Sequence, residues 1–82
     1  MKTSLIGSSE CLEAPIQYSL LTSVAEDGTE HYGVLVEYLD EEAAIPSITS
    51  SLEDAQELIA LMISGGVTPI SSHDVVQDWI LR

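Results

Sequence analysis

The residues of this chain whose types could take part in catalysis or metal binding are a short polar run, two histidines and one cysteine. The run SSHD, Ser71 to Asp74, contains the residue types of a hydrolase triad. Adjacent residues on a helix point about 100° apart, so these side chains cannot relay a proton along one line. A serine cap followed by polar residues in a first helical turn explains the run without catalysis.

The sequence also lacks the residue spacing of a metal site and the surroundings of a reactive nucleophile. His31 and His73 lie in different predicted elements, without Cys or His at the spacing of zinc ligands. The acidic runs AEDGTEHYG and LDEEA do not match the donor positions of a calcium loop. Cys11 is flanked by Glu10 and Glu13, whose charge opposes thiolate formation. The glycine run SGGV follows a predicted helix, whereas phosphate-binding loops precede one. The sequence therefore predicts no enzyme activity, no metal and no cofactor.

The charge of the chain restricts its partners. The 82 residues include 14 Asp and Glu but only 2 Lys and Arg, which gives a formal net charge of −12. The two basic residues are Lys2 and Arg82, at opposite ends of the chain. Direct nucleic-acid binding depends on Lys and Arg that neutralise phosphates, and an anionic membrane would repel this chain. Two explanations of the charge remain. The chain binds a protein partner with a basic surface, or the charge only confers solubility.

Length and composition predict a cytoplasmic protein. A hydrophobic fraction of 45% is too high for a disordered chain. Cys11 is the single cysteine, which excludes an internal disulfide and favours a reducing compartment. Residues 1–9 lack the unbroken apolar run of a secretory signal. No apolar stretch approaches the roughly 18 residues of a membrane span.

Residues 16–39 predict a β-hairpin. Ile16 to Val24 alternate between apolar and polar side chains, the period of a strand with one buried face. Asp27-Gly28 is a strong turn signal between two such runs. The return strand runs from about Glu30 to Leu39. Gly33 within it indicates a bulge or a close approach of another backbone.

Two amphipathic helices are predicted after the sheet. Apolar residues form a single stripe over residues 49–66, where Ser50 as N-cap and Glu53 fit a capping box. Ser71 or Ser72 is then expected to cap a short final helix.

These elements predict the fold class. Residues 44–49 indicate a short third strand, which Pro46 restricts to a sheet edge. We expect a flexible N-terminal arm over residues 1–14 and a single α+β domain over residues 15–82. That domain would be an antiparallel β-hairpin or three-stranded meander followed by two helices packed on one sheet face.

Acidic residues at the two ends of the return strand are candidates for partner binding. Ten strand residues span roughly 33 Å at about 3.3 Å each, close to one turn of duplex DNA. Carboxylates at that separation can imitate phosphates, although ordinary turn and edge chemistry places charges at the same positions. Leu61 lies beside acidic positions on the first helix, as either an incidental exposed leucine or a contact anchor. The candidates are Glu26, Asp27, Glu30, Glu37, Asp40, Glu41, Glu42, Glu53, Glu57 and Leu61.

The chain resembles a family of small, uncharacterised proteins from Firmicutes genomes over about residues 16–82. The resemblance extends from YSLLTSVAEDGTEHYGVLVEY through SLEDAQELIALMISGGVTPISSHDVVQDWI. It depends on Tyr32-Gly33, the Ser50 cap, Pro69-Ile70 and Asp74-Val75-Val76. It implies a fold and a bacterial or mobile-element source, without an activity. The near-total lack of Lys and Arg is where this chain departs from the pattern.

The sequence favours a non-enzymatic, acidic protein-binding module. Its most specific version is a phage or mobile-element inhibitor, similar to an anti-CRISPR protein, that blocks a basic nucleic-acid-binding surface by charge mimicry. The alternative is a homo-oligomeric accessory or structural bacterial protein, such as a homodimer, whose acidic surface only confers solubility.

Overall fold

The computed structural model describes residues 2–10 and 14–81, which form four strands followed by two helices. The strands make one antiparallel sheet in the order β1-β2-β3-β4, so each strand pairs with its neighbour in sequence. The fold is therefore an α+β meander with two C-terminal helices. Its elements are β1 (Lys2–Ser9), β2 (Ile16–Val24), β3 (Glu30–Tyr38), β4 (Glu41–Thr49), α1 (Leu52–Gly65) and α2 (Pro69–Leu81).

Strand β1 is the element that the sequence analysis missed. The expectation of a hairpin or three-stranded meander is wrong, because Lys2–Ser9 adds a fourth strand along β2. The pairing register shifts between Leu5 and Gly7, so Ile6 is an extra residue that interrupts any period of two. β1 is also an edge strand with mostly exposed side chains. It therefore lacks the hydrophobic alternation by which a half-buried strand is recognised.

The core lies between one face of the sheet and both helices. Alternate residues of β2 and β3 point into it, which confirms the predicted hairpin and its buried face. Gly28 in the connecting turn has φ 86°, as the Asp-Gly signal requires. The buried core comprises Ile16, Tyr18, Leu20, Tyr32, Val34, Val36, Ala55, Leu58, Ile59, Met62, Val76 and Trp79.

Strand β4 is the opposite edge of the sheet, as Pro46 predicts. Its register shifts between Tyr32 and Val34 of β3, where the single residue Gly33 has residues 46–48 of β4 opposite it. The backbone of β4 lies so close to Gly33 that no side chain fits there. The predicted close approach at this glycine is confirmed.

Helix α1 begins one residue later than the sequence suggests. Ser51, not Ser50, is the N-cap, and its hydroxyl oxygen accepts a hydrogen bond from the N–H of Asp54 at 3.3 Å. Gly66 closes the helix in the left-handed conformation, with φ 62°. Two consecutive serines make the position of such a cap ambiguous by one residue.

Helix α2 begins earlier than predicted. Its first residue is Pro69, so the expectation that Ser71 or Ser72 caps the helix is wrong. Proline suits the first helical position because its φ is already helical and its missing N–H has no intrahelical acceptor there. The buried Ser72 hydroxyl instead donates to the Pro69 carbonyl oxygen at 2.7 Å. Neither helix in the described ranges is long and apolar enough to cross a membrane.

Candidate functional site

The predicted contact residues lie in three separate places. Because the sheet is antiparallel, the β2–β3 turn and the β3–β4 turn are at opposite ends of β3. Glu53, Glu57 and Leu61 share the outer face of α1, at successive i,i+4 positions, and all three are exposed. The first turn holds Glu26, Asp27 and Glu30, and the second turn with its flanking strands holds Glu37, Asp40, Glu41 and Glu42.

Asp27 and Glu30 at the β2–β3 turn have hydrogen-bond partners within the fold. Asp27 Oδ1 accepts a hydrogen bond from the N–H of Thr29 at 2.9 Å, and this bond lowers the pKa of Asp27. The ionised form therefore stabilises the fold above the unfolded-state pKa, and this contribution is lost as pH falls through the folded-state pKa. Glu30 accepts a hydrogen bond from the Tyr32 hydroxyl at 2.6 Å, which raises the pKa of that tyrosine. These acids help to form the turn, so their positions have a structural explanation.

The opposite end of β3 brings acidic side chains close to one another. We call this region the acidic tip and define it by Glu37, Leu39, Asp40, Glu41 and Glu42. Glu37 and Glu42 are directly opposite each other on β3 and β4. Like charges in a cross-strand pair destabilise a sheet by roughly 0.2–1 kcal/mol. No Lys or Arg occurs between residues 3 and 81 to offset this repulsion.

Leu39 at the acidic tip is in an unfavourable conformation. Tyr38 is opposite Glu41, so the loop between the strands is Leu39-Asp40 alone. Leu39 has φ 55° and its side chain is 58% exposed. A left-handed conformation costs an L-residue roughly 1–2 kcal/mol, and a two-residue hairpin loop with positive φ at its first residue alone prefers Gly there. The backbone conformation at this position therefore does not favour a leucine.

Leu39→Asn is expected to stabilise the protein by about 1 kcal/mol, because asparagine tolerates positive φ better than leucine. Thermal unfolding should show a rise in Tm of about 4–8 °C for a domain of this size. Leu61→Asn is the matched control, since Leu61 is 55% exposed but lies inside α1. There the same change should lower Tm slightly, because asparagine is a poorer helix former. A lower Tm for Leu39→Asn would contradict strain at the tip.

A shallow groove of about 510 Å³ adjoins the acidic tip, between β4 and the first turns of α2. Ile70 lines it, and its side chain is 78% exposed. Ile70 is absent from the residues predicted from the sequence, because the predicted helix begins at Ser71 or Ser72. With α2 beginning at Pro69, Ile70 lies on the first turn and next to the groove. The groove is lined by Glu41, Glu42, Ala43, Ala44, Pro69, Ile70 and His73.

Comparison with known proteins identifies the family of the chain. The model of a family of unknown function, DUF6514, matches residues 2–82. The chain belongs to DUF6514. This match extends the resemblance over about residues 16–82 to include β1. No curated protein and no solved structure matches the chain.

The tip and groove of this DUF6514 protein combine two kinds of surface. Carboxylates of Asp40, Glu41 and Glu42 are exposed, and the aliphatic side chains of Leu39 and Ile70 are exposed beside them. Within residues 2–10 and 14–81, no group of three His, Cys, Asp or Glu side chains is arranged to hold a metal ion. The arrangement is suited to binding cationic side chains at the carboxylates and apolar side chains at Leu39 and Ile70.

Proposed function

We propose that this DUF6514 protein is a non-enzymatic protein-binding module whose acidic tip and adjoining groove bind a basic surface of another protein. The observation that carries the proposal is Leu39, an exposed leucine with positive φ in a loop between uncompensated carboxylates. A sequence selected for stability alone would place Gly there.

The composition of the tip indicates the chemistry of the partner surface. Binding energy in protein interfaces is concentrated in a few buried apolar or aromatic anchors, surrounded by polar groups. Leu39 and Ile70 are the large exposed apolar side chains of the tip and groove. The surrounding carboxylates would guide and orient a partner rich in Lys and Arg, and that attraction weakens with salt.

The most specific form of the proposal is an inhibitor from a phage or another bacterial mobile element, acting like an anti-CRISPR protein. It would block the nucleic-acid-binding cleft of an effector protein by charge mimicry. The nine residues of β3 separate the two acidic turns by roughly 30 Å at about 3.3 Å per residue. A cleft that binds nucleic acid over that length would contact both turns. Binding would be stronger at the acidic tip, because Leu39 and Ile70 add apolar contacts there.

Affinity capture from a nuclease-treated lysate of the native host, at low and at high salt, tests this proposal. We expect retention of a basic nucleic-acid-handling protein at low salt and its loss at high salt, and the purified pair should bind with the same salt dependence. Retention of the chain alone would overturn the proposal. That result would favour the alternative, a homo-oligomeric accessory protein whose acids only confer solubility.

A further inference from the structure

The groove beside the acidic tip follows the edge of strand β4. Consecutive residues 41–44 of β4 form one of its walls, and Pro69, Ile70 and His73 of α2 form the other. Successive side chains of a strand point to opposite faces of the sheet, so four residues in a row line one groove only where it passes along the edge of the strand. Backbone groups of β4 are therefore part of this wall.

This stretch of β4 has backbone groups available to another strand. Among the described residues, β3 is the only neighbour of β4 in the sheet, and the two strands pair without interruption from Glu41 to Ile45. In an antiparallel pair, alternate residues direct their N–H and C=O groups away from the neighbouring strand. About two or three residues of this stretch therefore present both groups at the outer edge. Pro46 and the register shift end the stretch, so the edge suits a short strand.

The two faces of the sheet differ along this edge. Val36 of β3 points into the core, so the next residue, Glu37, faces away from the helices. Glu42 is directly opposite Glu37 and shares that face. Ile70 belongs to α2, on the face that the helices cover. An added strand of alternating residues would place one set of side chains beside the two carboxylates and the other set on Ile70.

The charge of the edge selects the strand that pairs with it. A second copy of this chain would bring a further net charge of −12 and its own Glu41 and Glu42 to the edge, so self-pairing is disfavoured. A strand with Lys or Arg would instead place opposite charges next to each other on one face, which stabilises a sheet. Apolar side chains on the other face of that strand would cover Ile70, which is 78% exposed.

We infer that the basic partner binds by strand addition, through a short extended segment that pairs with residues 41–45 of β4 and in which Lys or Arg alternates with apolar residues. Main-chain hydrogen bonds then supply affinity, and the alternating side chains supply specificity. The inference rests on the proposed function and adds to it the conformation and the side-chain pattern of the partner segment.

Amide hydrogen exchange of the full chain with a synthetic peptide tests the pairing. The probe is a capped peptide of about six residues, the usual length of a strand, in which lysine alternates with valine. At saturating peptide, we expect exchange to slow roughly tenfold at the outward-facing amides of residues 41–45, because they become hydrogen-bonded. The outer edge of β1 is the internal control, since it is the other edge of the same sheet, and its exchange should not change. Equal slowing at both edges would overturn the inference.

Two altered peptides separate strand addition from attraction by charge alone. N-methylation of the central residues keeps the charge and the side chains but removes the N–H donors, so affinity should fall by roughly tenfold or more. Glutamate in place of lysine should abolish binding. In the chain, Ile70→Ser should weaken binding of the lysine peptide about tenfold. Ile80→Ser is the matched control and should bind like the wild type, because Ile80 is an exposed residue of the same helix that does not line the groove.

The outcomes distinguish this inference from the proposed function. An N-methylated peptide that binds as tightly as the unmodified peptide would overturn strand addition but would leave a basic partner at the acidic tip. A lysine peptide that does not bind at all would also overturn strand addition. The proposed function fails separately, when affinity capture retains the chain alone.

Discussion

Gly33→Ala is expected to destabilise the fold by about 3 kcal/mol or more. A Cβ atom at this position would lie 2.1 Å from the carbonyl oxygen of Ile45 and 2.6 Å from the Cα of Pro46. Both atoms belong to the backbone of β4, so relief requires displacement of the strand. A domain of 82 residues has roughly 4–12 kcal/mol of folding free energy in total. Urea denaturation should therefore show a much lower midpoint, or no folded baseline.

Gly65→Ala is the matched control for this prediction. A Cβ atom on Gly65 would meet its nearest neighbour, Cγ2 of Val67, at an ordinary 3.8 Å. Gly65 lies in the last turn of α1, where alanine is the better helix former by up to about 1 kcal/mol. The control should be as stable as the wild type or more so. Equal urea midpoints for Gly33→Ala and the wild type would show that β4 adapts at no cost.

The fold was predictable wherever side chains alternate or recur with a helical period. β2, β3 and α1 have such patterns, and Gly33 was identified as a point of close backbone approach. β1 was not predictable on this basis, because Ile6 interrupts its period and its edge position leaves most side chains exposed. Its stability comes from backbone pairing with β2, which leaves little trace in the pattern of hydrophobic residues.

The candidate site was predictable in its charges but not in its apolar anchors. Turns collect acidic residues, so the positions of Asp40, Glu41 and Glu42 follow from the alternating strands around them. Leu39 was predicted to be the last residue of the strand. Its place in a two-residue loop, and with it its positive φ, becomes visible only from the pairing register of β3 and β4. The direct opposition of Glu37 and Glu42 depends on the same register. The acidic tip is therefore recognisable in the sequence as an acidic turn, but only the structure distinguishes it from the β2–β3 turn.

Neutralising the acidic tip is expected to weaken binding to the proposed basic partner about a hundredfold. The variant combines Asp40→Asn, Glu41→Gln and Glu42→Gln, and three lost contacts of about 1 kcal/mol each give this factor. The matched control neutralises three exposed acids at the other turn, through Glu26→Gln, Asp27→Asn and Glu30→Gln. Both variants remove three negative charges from the same net charge of −12. Calorimetric titration with the purified partner measures the difference.

The two variants should also differ in stability, and this difference separates a lost contact from a lost fold. The tip variant removes the repulsion between Glu37 and Glu42, so its free energy of unfolding should rise by up to about 1 kcal/mol. The control variant replaces the ionised Asp27 that accepts from Thr29, so it should be slightly less stable than the wild type above the unfolded-state pKa of Asp27. A tip variant that binds weakly while its stability rises cannot owe its weak binding to unfolding. Equal losses of affinity in both variants would instead mean that the acidic tip has no special role compared with the β2–β3 turn.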